Sequence, residues 1–193
     1  MIKAEEQTIA KKDVLNINIT DCKELEKKVL SFIDVMNGVD ATAMDGHARN
    51  LNEIKDDVIM GIVGHIIVCE LIKLEKKPCK LHFDIEGFHL TSNSHSIKVR
   101  TSLAQVPPCP ERHIEKFTIT GYEEGDVEYD YYVQIVFCEA PRFIENNNCI
   151  DGMYIVGGVE KQALNKTKDY GKKKMKVADI SSSQIIDQII NSL

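Results

Sequence analysis

The chain has 193 residues, a mass of 21.8 kDa and a formal net charge of −6, and 43% of its residues are hydrophobic and 28% charged. This is ordinary globular usage for one domain, and it excludes disordered, collagen-like and low-complexity sequence. No apolar run approaches the ~18 residues of a membrane span, and the charged N-terminal segment lacks the apolar core of a signal peptide, so we expect a soluble, cytoplasmic protein without membrane contact.

The first part of the chain is predicted to be helical. Asp21 and Glu24 resemble a capping box, and apolar residues recur at three-to-four spacing from Leu25 to Met36. A second helix is predicted from about Arg49, and the two glycines of its GIVGH segment (61–65) lower helix propensity by roughly 1 kcal/mol each. They indicate either close packing or a break.

The hydrophobic period changes to two from Leu81 onward. Two strands are predicted, over 81–86 and 95–102, each with one apolar and one polar face. The polar faces carry His82, Asp84 and Glu86 on the first strand, and Ser96, Lys98 and Arg100 on the second.

The strongest strand signal is 127–138 (VEYDYYVQIVFC). Both of its faces are largely apolar or aromatic, which predicts a central strand beside the strand at 95–102. Shorter strands are predicted at 117–120 and 153–156, and helices at 159–164 and 183–193. Helices, then a mixed sheet, then closing helices predict an α/β or α+β sandwich, and we expect the α/β class.

The six cysteines are all at least ten positions apart, so no C-x-x-C pair and no zinc-ribbon spacing is present. Cys69 and Cys138 fall inside apolar stretches, where a free thiol behaves as a small hydrophobe. We therefore expect reduced, mostly buried cysteines and no disulfide framework.

Positive charge is concentrated in 166–176 (KTKDYGKKKMK), which carries a local +5 and leaves −11 on the remaining 182 residues. Such segregation lets an acidic protein present one surface that binds phosphates, although a solvated loop or tail would have the same composition. The candidate DNA-binding residues are Lys166, Lys168, Lys172, Lys173, Lys174 and Lys176.

The charged strand faces have two interpretations. They are either a solvated antiparallel face or an acid-plus-lysine hydrolytic site, in which a carboxylate holds a divalent metal and a lysine assists the attacking water. No two histidines show the H-x-x-x-H spacing of a helical metal site, and no phosphate-binding glycine loop or serine-hydrolase motif occurs.

Five short stretches follow one another in an order that is typical of a known family. They are the helical GIVGH (61–65), FDI (83–85), SIKVRTS (96–102), DYYVQIV (130–136) and YIVGG (154–158). On these motifs the chain, from about Arg49 to Leu164, resembles the PD-(D/E)xK nuclease superfamily, in particular type II restriction-endonuclease-like proteins.

The resemblance implies a restriction-endonuclease-like mixed central sheet flanked by helices, in a homodimeric, Mg²⁺-dependent endonuclease that cleaves double-stranded DNA. We expect a single domain, 1–193, with an N-terminal helical part (1–40), a nuclease-like core (49–164) and a basic segment with a C-terminal helix (165–193). The expected metal ligands are Asp84 and Glu86, and the expected catalytic residues are Asp84, Glu86, Lys98 and Arg100.

The chain departs from the family pattern at two places. The family's helical glutamate is replaced by His65, and the second acid is replaced by Ser96 or Lys98, depending on the register. Glu86 is the candidate replacement, and an arginine at position 100 cannot act as a base near neutral pH. Three functions therefore stay open: an active endonuclease, a catalytically degenerate nuclease fold that binds DNA or a partner, and an unrelated α/β domain with solvated strand faces.

Overall fold

The computed structural model describes residues 2–19, 22–36, 51–84, 87–104, 111, 114, 118–123, 126–141, 152–170, 173–179 and 186–193. Among these residues it contains two sheets and three α-helices, which confirms the α/β class. The helices are α1 (Cys22–Met36), α2 (Leu51–Leu74) and α3 (Ile186–Ser192). The strands are β1 (Ile2–Ile9), β2 (Lys12–Ile19), β3 (Lys80–Asp84), β4 (Gly87–Ser92), β5 (His95–Leu103), β6 (Thr118–Glu123), β7 (Tyr131–Phe137), β8 (Met153–Glu160), β9 (Lys166–Tyr170) and β10 (Lys173–Asp179).

The larger sheet has seven strands in the order β1-β2-β8-β7-β5-β4-β3. It is mixed, because β5 and β7 run parallel, with Val99 opposite Val133, whereas the other neighbouring pairs are antiparallel. All seven residues of β7 are buried. The predicted central strand beside the strand at 95–102 is thereby confirmed, although it begins at Tyr131 and ends at Phe137.

Helix α2 covers one face of this sheet. Its buried apolar residues form a common core with Ile97 and Val99 of β5 and with Leu90 of β4. The glycines of GIVGH do not break the helix. Gly64 permits the close approach, because a Cβ there would lie 2.8 Å from Cγ2 of Thr101.

The opposite face is partly covered by a smaller sheet in the order β6-β10-β9. Ile119 of β6 and Ala178 of β10 belong to a second core cluster with Tyr132 and Val136 of β7. Each face of β7 thus packs against its own core cluster, which explains why this strand is apolar on both faces.

Two predicted helical regions are strands. The part assigned as helical over 1–40 begins with the β1–β2 hairpin, and only the predicted helix from 22 to 36 is present. Pairing with β8, in which Ile17 lies opposite Met153, fixes β2 in the sheet. The helix predicted at 159–164 is also wrong, because β8 extends to Glu160 and only a 3₁₀ turn follows, over 161–163.

The lysine-rich segment is not a loop but the β9–β10 hairpin, with Lys168 opposite Met175 and Lys166 opposite Val177. Val177 is buried, so the alternating pattern on β10 ties this segment to the protein. Lys172 lies outside the described residues.

The expectation for Cys138 is also wrong, because this cysteine is disulfide-bonded. It follows β7, and its backbone N–H donates to the Gly152 carbonyl oxygen just before β8 at 2.8 Å. Cys69 and Cys79 are free, as expected.

The two glycines of α2 predict opposite effects on stability. Gly61→Ala is expected to raise the free energy of unfolding by about 0.5–1 kcal/mol, because no atom lies within 4 Å of the new Cβ and alanine favours the helix. Gly64→Ala is expected to lower it by about 1–3 kcal/mol, because the new methyl group meets Thr101, Val99 and Ile135. Urea denaturation of both variants measures this, and a destabilised Gly61→Ala or a stabilised Gly64→Ala would contradict the packing.

Candidate functional site

The polar side chains of β3, β4 and β5 share the face of the large sheet that lies opposite α2. Phe88, Leu90, Ile97 and Val99 pack in the core with α2, and Leu81 and Phe83 contact that core. Because side chains alternate along a strand, the residues between them point to the other face. These are His82, Asp84, His89, Lys98 and Arg100, as the sequence predicted for all but His89.

Lys98 is buried on this face, with 9% of its surface exposed. Its Nζ donates a hydrogen bond to the Phe88 carbonyl oxygen at 2.7 Å and lies 5.2 Å from the centre of the Tyr129 ring. It also reaches to 3.8 Å from the position of a Cβ on Gly87. Because Gly87 pairs with Asp84, the ammonium group of Lys98 lies near the end of β3.

Asp84 has an imidazole beside its carboxylate. Nδ1 of His89 lies 3.5 Å from Oδ2 of Asp84, and the His89 ring stacks on His82 with 5.0 Å between ring centres. Nε2 of His82 is 2.8 Å from the Thr91 hydroxyl oxygen, and this contact fixes the orientation of the His82 ring. Sequence reasoning missed His89 because β4 was not predicted, although the alternation in FHLTS (88–92) is a signal for that strand.

Arg100 connects the two sheets. Its Nε and Nη2 both donate to the Gly121 carbonyl oxygen of β6, at 3.1 and 2.6 Å. Burial lowers the pKa of this guanidinium below its ordinary value. The contact positions β6 over β5, and the catalytic role expected for Arg100 stays a prediction.

Ser96, at one of the two positions where the family has its second acid, hydrogen-bonds Asp130, which directly precedes β7. Its backbone N–H and its hydroxyl group lie 2.7 and 2.9 Å from Oδ2 of Asp130. These hydrogen bonds, that of the backbone N–H first, hold the pKa of Asp130 below its ordinary value. A carboxylate is therefore present at this end of β5, but it comes from the segment before β7. Glu86, the predicted replacement acid, lies outside the described residues.

His65, which stands where the family has a glutamate, lies on the α2 side of the sheet and is buried. Its Nδ1 is 2.7 Å from the Gly61 carbonyl oxygen, and the Val99 N–H points to its Nε2 at 3.3 Å. The tautomer that satisfies both contacts carries its proton on Nδ1. Burial lowers the pKa of His65 to about 3. The neutral imidazole ties α2 to β5 and has no nitrogen left for a metal.

Comparison of the chain with protein-family models, with curated proteins and with solved structures finds no match. None of the helices in the described part of the chain combines the length and the apolar character that crossing a membrane requires.

Proposed function

We propose that this protein is a restriction-endonuclease-like DNA-binding protein and a Mg²⁺-dependent endonuclease that hydrolyses DNA phosphodiester bonds. The observation that carries the proposal is the convergence of Lys98 on the end of β3, where Asp84 lies. The order of elements supports it, since α2, β3, β5, β7 and β8 carry the five motifs of the resemblance and β3, β5, β7 and β8 belong to one sheet.

Asp84 fits a role as a magnesium ligand. Its side chain is 47% exposed, and Mg²⁺ usually takes only one or two carboxylates and completes its octahedron with water and substrate phosphates. The described residues contain no group of three His, Cys, Asp or Glu side chains that could hold a metal by themselves. Asp84 would therefore hold the ion together with Glu86, the predicted second ligand, and the bound ion would stabilise charge on the phosphate and acidify water.

Lys98 would act on the phosphate and on the attacking water. A buried ammonium interacts more strongly with a developing negative charge than an exposed one, because the local dielectric constant is lower. Its hydrogen bond to Phe88 holds the amine in place before DNA binds.

Burial speaks against the interpretation as a solvated strand face. Lys98 and Gln134 are buried, and Arg100 is bound to β6. Polar groups that are removed from water cost free energy unless they are hydrogen-bonded, so a face that was only solvated would leave them outside the core. The charged face is therefore partly buried, and hydrogen bonds to Phe88 and Gly121 satisfy Lys98 and Arg100 within it.

The alternative is a catalytically degenerate nuclease fold that binds DNA or a partner without cutting. Two contacts favour it: the Lys98 ammonium already donates to a backbone carbonyl, and His65 replaces the family's glutamate with both nitrogens engaged. Nicking of supercoiled plasmid by the wild-type protein with Mg²⁺ or Mn²⁺, and its absence with a chelator, would support the endonuclease. Duplex binding without nicking would leave the degenerate fold, and a protein that does not bind duplex DNA even at low salt would contradict both.

The β9–β10 hairpin is the proposed DNA-binding surface. Alternation places Lys166 and Lys168 on one face of the hairpin and Lys174 and Lys176 on the other. The major groove of DNA admits a two-stranded β-ribbon, and lysines on both faces of such a ribbon can reach the phosphates of both strands. Only the part of β10 from Met175 onward pairs with β6. The other end of the hairpin, where Lys174 lies opposite Asp169, therefore extends past β6.

Replacing Lys168, Lys174 and Lys176 together with glutamine is expected to weaken duplex binding at low salt. Each lost phosphate contact lowers the slope of log K against log salt by roughly 0.9, so we expect the slope to fall by about two to three. The free energy of unfolding should change by less than about 0.5 kcal/mol, because these are surface positions. Fluorescence anisotropy between 50 and 300 mM salt, roughly the range in which counterion release is measured, gives the slope.

The matched control replaces Lys3, Lys11 and Lys23 with glutamine. These three lysines are exposed, and replacing them removes the same amount of charge from the β1–β2 hairpin and α1. An equal loss of slope in both triple variants would show that only the net charge matters, and it would contradict a specific role of the β9–β10 hairpin.

A further inference from the structure

Two free cysteines share a groove on the side of the protein that carries α1 and α2. Cys69 lies in the last turns of α2, and Cys79 directly precedes β3. Both line a cavity of about 380 Å³, whose wall also contains Lys28, Glu70 and Lys73. The groove gives a small molecule access to two thiols that are otherwise buried.

The two thiol groups influence each other. Each is the largest influence on the pKa of the other, and the charge of the Lys73 ammonium favours the ionised form of Cys69. Lys73 in turn lies 3.2 Å from a carboxylate oxygen of Glu70, which lies 3.4 Å from Lys28. A cation beside one member of a thiol pair is the arrangement that makes that thiol the nucleophile.

The environments of the two thiols differ. The hydrogen bond with Cys79, together with the charge of Lys73, lowers the pKa of Cys69 to about 7, whereas the same hydrogen bond and burial raise the pKa of Cys79. At neutral pH one sulfur is therefore partly ionised while its neighbour stays protonated. A thiol with a pKa near the ambient pH is the best attacking group in thiol chemistry.

The backbone brings the two cysteines together through a short connection. After α2 ends at Leu74, the Lys77 N–H donates to the Ile72 carbonyl oxygen, and Lys76 adopts a left-handed conformation with φ of 60°. The chain thus reverses over four residues, Glu75 to Pro78, and returns Cys79 to the side of the helix. The chain reversal after α2 therefore places Cys79 near Cys69 in the folded protein.

We propose that Cys69 and Cys79 form a reversible dithiol–disulfide pair that reacts with a peroxide entering the groove. The Cys69 thiolate attacks one peroxide oxygen, the O–O bond breaks, and the departing hydroxide takes up a proton to leave as water, so that Cys69 becomes a sulfenic acid. The Cys79 sulfur then attacks Cys69, the S–O bond breaks, and the thiol proton leaves with the hydroxyl group as a second water. Two electrons pass from the two sulfurs to the peroxide. A thiol reductant reverses the reaction by exchange.

Neither cysteine belongs to the polar face opposite α2, although His82 of that face also lines the cavity. Oxidation would join the end of α2 to the start of β3, and it would occur in a protein that neither binds nor cuts DNA. Failure of one proposal therefore leaves the other intact.

The test is peptide mapping of the native wild-type protein after mild treatment with hydrogen peroxide and alkylation of the remaining thiols. We expect a cross-linked peptide that contains Cys69 and Cys79, lighter by about 2 Da than the two thiol forms together, and its disappearance after reduction with dithiothreitol. In Cys79→Ser, Cys69 should accumulate as a sulfenic acid that a dimedone probe traps. In Cys69→Ser, Cys79 should react with peroxide at least about tenfold more slowly, because burial still raises its pKa and a protonated thiol is a weak nucleophile.

Alkylation of both cysteines in peroxide-treated wild-type protein would overturn the proposal, as would a cross-link from Cys69 to a cysteine other than Cys79. Both results come from the wild-type chain, so they hold even if a serine variant does not fold.

Discussion

Asp84→Asn is expected to reduce Mg²⁺-dependent cleavage of duplex DNA by at least about 100-fold, because even residues that only support a metal ligand are worth 10–100-fold. The amide keeps the shape of the side chain but loses the charge that would hold the ion. Affinity for duplex DNA in the absence of metal should stay within about threefold, since the proposed phosphate contacts are on the β9–β10 hairpin. Plasmid nicking and anisotropy measure the two quantities on the same preparation.

Asp187→Asn is the matched control, because it removes an exposed carboxylate from α3. It should cleave like the wild type. Lys98→Met extends the test, since methionine keeps an apolar stem but removes the ammonium group, and we expect a loss of roughly 100-fold or more in cleavage. Full cleavage by either Asp84→Asn or Lys98→Met would exclude that residue from the reaction.

His65 is expected to make the protein unstable in acid. The unfolded chain binds a proton at His65 near pH 6.5, whereas the folded protein, with a pKa of about 3 at this residue, does not. Between these values the unfolded state binds one more proton, so stability is present above pH 6.5 and is lost as the pH falls. The expected loss is about 1.4 kcal/mol per pH unit over that window.

His65→Gln separates this contribution from all other titrating groups. Glutamine offers an acceptor for the Val99 N–H but does not titrate, so the slope of unfolding free energy against pH should be smaller by about 1.4 kcal/mol per unit between pH 6 and 4. At pH 7 the variant is expected to be less stable by roughly 1–3 kcal/mol, because the imidazole packing is lost. Urea unfolding at several pH values gives both numbers, and identical pH slopes in the two proteins would contradict a buried neutral His65.

Local periodicity predicted the parts of the fold in which each element carries its own signal. The three-to-four spacing gave α1 and α2, and alternation gave β3, β5 and β7. The β1–β2 hairpin was missed because β1 is an edge strand with exposed charges such as Glu5 and Glu6, and because the hairpin joins the sheet through the pairing of β2 with the distant β8. Such pairing is a tertiary contact, which propensity does not contain.

The end of β8 was misread for a related reason. Gly157 and Gly158 interrupt the strand pattern, yet β8 continues through a bulge at which Gly157 has a φ of 140°. Position 158 has no room for a larger residue, because a Cβ there would lie 2.1 Å from Cδ1 of Ile189 and 3.0 Å from the Tyr132 carbonyl oxygen. Gly157 is required by the backbone conformation of the bulge and Gly158 by close packing. Neither requirement can be read from the surrounding sequence.

The site shows the same division. Alternation placed Asp84 and Lys98 on the polar faces of their own strands, and pairing through β4 brings these two faces to the same side of the sheet. The approach of His89 to Asp84 depends on the unpredicted β4, and the reach of Lys98 to Gly87 depends on the path of a long side chain. A period-two pattern states which side a residue points to, but not which neighbour it meets.

The pairing of β2 with β8 has a consequence for how the chain folds. Ile17 meets Met153 across most of the length of the sequence, so β1 and β2 cannot join the sheet until β8 has formed. The β3–β5 meander under α2 uses contacts between near neighbours and can assemble first. Long-range pairing carries a large loop-closure entropy and slows folding. During synthesis on the ribosome, β1 and β2 emerge before the other strands of this sheet and are therefore among the last of them to reach their native place.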